Sequence, residues 1–221
     1  MRAPAAIAFD LDGTLVDSRR DIVAACNHVL VRAGRAPLPA EVIETFVGDG
    51  ARALLARAFG VPVTDAPDPQ LDAWQKEWVA FYAAHPAVHT TWMPGALTVL
   101  DSVASLPLAV LTNKARPVAL AVLDALGGRQ RFAFVYGGGD GPLKPRPEPV
   151  LATARALSVE PSSLWVVGDA DQDILAARAA GAVAVAVRGG FQPDARVEAA
   201  RPDVILGSLE QLLPLIHRAA S

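Results

Sequence analysis

The chain has 221 residues, with 23 acidic and 20 basic side chains and a formal net charge of −3. That length suits one domain with a sizeable core, or a core domain carrying an inserted module. A mildly acidic chain without runs of like charge lacks the basic footprint that nucleic acid or an anionic membrane surface would need.

Apolar residues make up 52% of the sequence and aromatic ones only 6%, so the core must rest on Ala, Val and Leu, a composition suited to helices packed on a buried sheet. No stretch reaches the roughly 18 consecutive apolar residues of a membrane helix. The apolar run at 5–9, after Met1-Arg2-Ala3-Pro4, is too short for a signal-peptide core. One cysteine, Cys26, excludes an intramolecular disulfide and points to a reducing compartment. The expectation is a soluble cytoplasmic protein, monomer or homodimer, with no nucleic-acid or membrane partner.

In chain order, residues 5–9 end abruptly at Asp10, which predicts a buried parallel strand with a functional loop at its carboxyl end. Asp17 and Ser18 open a helix. Ile22, Val23, Cys26, Val29 and Leu30 continue it at helical spacing, and Gly34 closes it. Further helices are predicted over 40–46, 51–59 and 71–84, with a loop at Ala66-Pro67-Asp68-Pro69. An all-helical block therefore follows the first strand. Beyond Pro94-Gly95, strands over 108–111, 132–136, 164–167, 183–187 and 204–206 alternate with helices over 117–126, 147–157, 171–180 and 209–217. This alternation implies an α/β fold with a doubly wound parallel sheet, in which ligands bind outside the carboxyl ends of the strands.

Those strand ends carry the chemistry. The first ends in Asp10-Leu11-Asp12-Gly13-Thr14 and the second in Thr112-Asn113-Lys114. Lys144-Pro145 follows the third, and the fourth ends in Gly168-Asp169-Ala170-Asp171-Gln172-Asp173. Phosphoryl transfer needs a nucleophile, a proton carrier, carboxylates for a divalent cation and donors for the equatorial oxygens; all the protein groups are present at one sheet edge. Only three lysines occur, Lys76, Lys114 and Lys144, and two of them fall at strand ends. The histidines are scattered without ligand spacing. Trp74 and Trp78, one turn apart, read as packing, and Gly137 to Gly139 as a flexible loop.

The run Asp10 to Ser18 resembles the first motif of the haloacid dehalogenase-like hydrolase superfamily. Thr112, Lys144 and Gly168-Asp169 with Asp173 resemble the other three, in order. Within it, Asp17-Ser18, Val47-Gly48-Asp49-Gly50, Thr112-Asn113-Lys114 and the end of the Ala176 to Gly181 helix resemble the phosphoglycolate phosphatase-like branch. The resemblance implies a Rossmann-like core over 1–16 and 91–221 and an inserted helical cap over 17–90. It implies Asp10 as nucleophile and Asp12 as general acid and base. Thr112, Asn113 through its backbone, and Lys144 would serve the phosphate and the nucleophile. Mg²⁺ would bind Asp10, the Asp12 carbonyl and Asp169, with Asp173 behind them. The substrate would be a small phosphate ester such as 2-phosphoglycolate, contacted by Gly48, Asp49, Gly50, Arg52 and Lys114.

Three departures concern substrate identity: Arg146, Ala170 and Arg188-Gly189-Gly190-Phe191 stand where the branch often has other residues. Carbon–halogen hydrolysis is disfavoured by Asp12, and phosphonate cleavage by the late position of Lys76, the lone lysine of the helical block. A sugar-phosphate phosphatase or phosphomutase, and a non-catalytic binding protein on the same fold, are the alternatives. The second would have lost one of Asp10, Asp12, Lys144 or Asp169.

Overall fold

A computed structural model describes residues 3–64 and 66–220, with only the backbone for Ala220. Met1 and Arg2, with which the expected core begins, Asp65 in the helical block and the terminal Ser221 lie outside the described residues. The chain opens with β1 (Ala6–Phe9) and a two-residue β2 (Val16–Asp17). Four helices follow: α1 (Arg19–Arg32), α2 (Ala40–Glu44), α3 (Gly50–Phe59) and α4 (Pro69–Ala84). Then β3 (Thr91–Trp92) returns antiparallel to β2, Val16 facing Trp92 and Asp17 facing Thr91. Alternation begins with α5 (Ala96–Ser102), β4 (Leu108–Ala115), α6 (Arg116–Ala125), β5 (Phe134–Gly138) and α7 (Glu148–Ala156). It ends with β6 (Leu164–Gly168), α8 (Asp171–Ala179), β7 (Val183–Val187), α9 (Asp194–Ala199), β8 (Val204–Leu206) and α10 (Leu212–Ala220).

Six strands pair in the order β5-β4-β1-β6-β7-β8, all in parallel. β1 is central, so Phe9 faces Val110 on one side and Val167 on the other. The ends of β4, β1 and β6 therefore lie side by side. Alternation along each strand separates two cores. Ile7, Phe9, Val110, Trp165 and Val185 face α5, α6 and the C-terminal Leu209 and Leu212. Ala6, Ala8, Ala109, Ala184 and Ala186 face α7 and α8 through Val150, Ala154, Ile174 and Ala177. A third core joins the helical block, through Cys26, Leu55, Leu71 and Tyr82, to Val118 and Val122 of α6.

The helical block is tied to its exit chain at Asp21. Its buried carboxylate accepts the backbone N–H groups of His89 and Thr90 and the Thr90 hydroxyl, the last at 2.7 Å. No helix among the described residues is long and apolar enough to cross a membrane.

The structure departs from the expected elements where local signals are short or polar. β4 runs on through Thr112-Asn113-Lys114 because these polar residues are buried among other strand ends, with a register shift before Ala115 pairs with Gly138. Gly137 and Gly138 are not a loop but the end of β5; a Cβ at Gly137 would press on the Arg116 backbone at 2.8 Å. The seven-residue α5 and six-residue α9 are too short to show periodicity. The closing helix divides into a 3₁₀ turn at Leu209–Gln211 and α10. Ser18 sits at the start of α1 without capping it, because its hydroxyl is used elsewhere.

Burial pushes the Cys26 thiol up to about 12 by disfavouring the thiolate. Native protein is therefore expected to leave an aromatic disulfide reagent unreacted at neutral pH, and urea-unfolded protein to release one equivalent of thiolate. Rapid native labelling would contradict the packing of Cys26 in the helical core.

Candidate active site

The site grows from the end of β1. Asp10 follows the last residue of the central strand, and its backbone N–H still donates to Val167 O at 2.8 Å. The chain then turns through Gly13, whose φ of +89° lies in the left-handed region. A Cβ at Gly13 would collide with the Asp169 carboxylate, so glycine allows the loop after β1 to lie against the end of β6. Asp169 is received there by the Thr14 hydroxyl at 2.6 Å on one oxygen and the Phe191 N–H at 2.7 Å on the other.

Lys144 comes in from the loop after β5 and is 5% exposed. Its ammonium donates to Asp10 Oδ1 at 2.8 Å, to the Leu111 carbonyl at 2.6 Å and to Asp173 Oδ1, which uses all three protons. The other Asp173 oxygen accepts the Ala170 N–H at 3.1 Å, the reach-back of a third helical residue to its own helix start. Asp173 thus caps α8 and fixes Lys144 at once. Asn113 clamps the Lys144 backbone, accepting its N–H and donating to its carbonyl, both at 2.9 Å, and donates a further bond to Gly48 O. The Thr112 hydroxyl oxygen accepts the Lys114 N–H at 3.2 Å.

Three buried carboxylates, Asp10, Asp169 and Asp173, each offer an oxygen within 4.8 Å of the others, a grouping that could hold a metal ion. Burial raises Asp169 to about 6, and the Asp10 charge adds to the rise against the pull of Thr14 and Phe191. Burial also raises Asp173, against the pull of Lys144. For Lys144 itself burial favours the neutral amine, but Asp10 and Asp173 outweigh it and hold the ammonium above its ordinary range. The donor set is hard oxygen in surplus of negative charge, which fits a hard divalent cation.

Asp12 faces a second lysine. Lys114 Nζ lies 2.9 and 3.1 Å from its two carboxylate oxygens, and Ser18 donates its hydroxyl to Oδ1. Lys114 also donates to Tyr82 Oη at 3.0 Å and sits 4.3 Å from the centre of that ring. Strand one and α4 of the helical block thus meet through one buried ammonium.

A cavity of about 60 Å³ lies over these groups. Asp10, Asp12, Thr112, Asn113, Lys114, Lys144, Asp169 and Asp173 all line it, together with Gly48 and Gly50. The remaining two expected residues lie elsewhere. Asp49 turns to Arg57 and to Gln172, whose amide reaches it at 2.7 Å. Arg52 is taken up by Asp72 of α4 and the Ala66 carbonyl, so it supplies no charge to the cavity. Trp78, Phe191, Gln172 and Gln192, which sequence reasoning did not select, also line the cavity, among apolar residues such as Ile22, Ala51 and Leu54. Trp78 carried a signal, its spacing from Tyr82 on one face of α4, but that spacing equally describes core packing.

A buried carboxylate just past the central strand, a lysine bonded to it and further carboxylates beside the neighbouring strand ends give this parallel-sheet α/β fold the acidic pocket of a hydrolase. Residues 7–187 match the haloacid dehalogenase-like hydrolase family, and the chain belongs to it. It is 38% identical to phosphoglycolate phosphatase of Neisseria meningitidis, over 94% of this chain and 91% of that protein. It is 37% identical to phosphoglycolate phosphatase of Chromobacterium violaceum, over 96% of each. The crystal structure of a predicted phosphoglycolate phosphatase from Haemophilus somnus superposes with a TM-score of 0.84 at 25% identity, over 97% of this chain and 99% of that one.

Because Arg52 is held away from the cavity, Arg52→Ala should change KM by less than about twofold for carboxylate-bearing and neutral phosphate esters alike, the scale of an exposed ion pair. Steady-state kinetics on both substrate types checks this; a selective rise for the carboxylate-bearing ester would return Arg52 to the site.

Proposed function

We propose that the protein is a Mg²⁺-dependent phosphatase that hydrolyses 2-phosphoglycolate through an aspartyl-phosphate on Asp10. The observation that carries this reading is Asp10 itself: one oxygen is bonded to the Lys144 ammonium, and the carboxylate opens into a small cavity beside Asp169. A cavity of this size holds a few waters, which suits a two-carbon ester better than a nucleotide. The names of the relatives above point to the same ester.

Asp10 attacks phosphorus, forming a P–O bond as the ester oxygen leaves. Asp12 gives that oxygen a proton, then takes one from the water that attacks the same phosphorus and releases inorganic phosphate, restoring Asp10. Lys144 orients Asp10 through its ammonium, and Asp173 holds Lys144 in place through the start of α8. Thr112 and the Asn113 backbone receive phosphate oxygens. The Asp10 and Asp169 carboxylates and the Asp12 carbonyl would hold Mg²⁺, which supplies charge for the phosphoryl oxygens in the transition state. Residues 17–90 act as a cap over a core formed by 1–16 and 91–221, contributing Gly48 and Gly50 to the substrate side.

Two outcomes test the mechanism. Asp10→Asn keeps the shape and removes the nucleophile, so phosphate release should fall by several orders of magnitude; near-normal turnover in clean protein would reject covalent catalysis. Excess chelator should abolish activity and added Mg²⁺ restore it, with Ca²⁺ a poor replacement because it prefers more ligands in looser geometry. Undiminished activity in chelator would remove the cation from the scheme.

A further inference from the structure

Trp78 lies on α4 and is 3% exposed. It lines the cavity, and its buried indole Nε1 has no hydrogen-bond partner among the described residues. Indole N–H is a donor only, and buried donors of this kind ordinarily find an acceptor. Trp165 shows the same deficit but lies within the sheet core and is not part of the cavity wall. The Trp78 ring is also held in place: Tyr82 meets it edge-on, with centroids 5.1 Å apart and planes at 83°, while Tyr82 itself receives Lys114.

The other side-chain nitrogens of the wall are engaged. Lys144 spends its protons on Asp10, Leu111 and Asp173. Lys114 serves Asp12 and Tyr82. Asn113 spends both amide protons on backbone carbonyls. Gln172 donates to Asp49, and Gln192 to Gln172. The wall is divided by origin: the carboxylates and Thr112 come from the strand ends and the segments that directly follow them, whereas Trp78, Ile22, Ala51 and Leu54 come from α1, α3 and α4. A phosphate seated on the sheet side leaves the other end of the ester toward apolar side chains of the helices, where the Trp78 indole is the side-chain donor without a partner among the described residues.

We propose that Trp78 determines specificity for that far end, its Nε1–H donating to a substrate oxygen, which in 2-phosphoglycolate is a carboxylate oxygen. The inference deepens the phosphatase reading above and rests on it. In apolar surroundings such a bond is strengthened by low polarity, and a substrate without the oxygen leaves the donor unpaired, which is how a site rejects an analogue.

The test compares 2-phosphoglycolate with ethyl phosphate, which keeps the phosphate and two carbons but has no acceptor at the far end. In Trp78→Phe, which keeps an aromatic ring and removes the donor, the ratio of kcat/KM for the two esters should fall about ten- to a hundredfold, the range for a hydrogen bond to a charged group. The loss should appear in KM more than in kcat. An unchanged ratio overturns the assignment. If the variant does not fold, the full-length Asp10→Asn protein gives a second readout: the Trp78 indole N–H resonance should move downfield with 2-phosphoglycolate and not with inorganic phosphate. An indole signal indifferent to both overturns it equally. Wild-type enzyme that hydrolyses ethyl phosphate but not 2-phosphoglycolate would overturn the substrate reading instead, and Trp78 would then be judged by the same ratio with the oxygen-bearing ester the enzyme prefers.

Discussion

The structure turns on one buried ammonium. Lys144 is set among the carboxylates at the ends of β1 and β6 and uses its three protons on Asp10, the Leu111 carbonyl and Asp173. Burial pushes Asp169 and Asp173 toward holding protons, and the Lys144 ammonium opposes that in both. The surrounding architecture therefore serves to place Lys144: Asn113 clamps its backbone at both polar atoms, and the start of α8 fixes the carboxylate that anchors its third proton.

That placement depends on the sheet more than on any loop. In a parallel sheet, neighbouring strands end at one edge, so β4, β1 and β6 deliver Thr112, Asp10 and Asp169 together without a long-range rearrangement of chain. The fine fit is left to glycine. Gly13 admits the first loop to the Asp169 carboxylate, and Gly190 leaves room on the other side of the same group. Bulk at either position would displace a carboxylate that Thr14 and Phe191 hold from two directions.

Much of this was legible in the sequence because the informative residues are local. Short apolar runs ending in Asp, Thr or Gly mark parallel strands, and Asp10, Thr112 and Asp169 lie where those runs stop, with Asp12, Lys144 and Asp173 in the segments that follow. The helical block was visible from its spacing. What sequence could not supply was partnership across space. Arg52 beside two glycines looks like an anion fork, but Asp72, twenty residues on, captures it. Lys114 looks like a free strand-end cation, yet Asp12 and Tyr82 share it. Trp78 has the spacing of a core residue and is one; what sets it apart is a ring lining the cavity whose nitrogen has no acceptor among the described residues. Gly137-Gly138 reads as a loop, but it is strand that passes close to the α6 backbone.

The antiparallel pairing of β2 with β3 has a further consequence. Asp17 and Thr91 are directly opposite, so the chain leaves the sheet region and returns to it at nearly the same point. To the sheet, everything between them is equivalent to an elongated hairpin loop. The helices could be exchanged for others of different length or shape without altering the register of any of the six parallel strands, provided the replacement again covers Val118 and Val122 of α6. The acidic strand ends and the helical wall of the cavity thereby come from separable stretches of one chain. The helical wall can change with what is strung between two paired residues, while the carboxylates and Lys144 beneath keep their places.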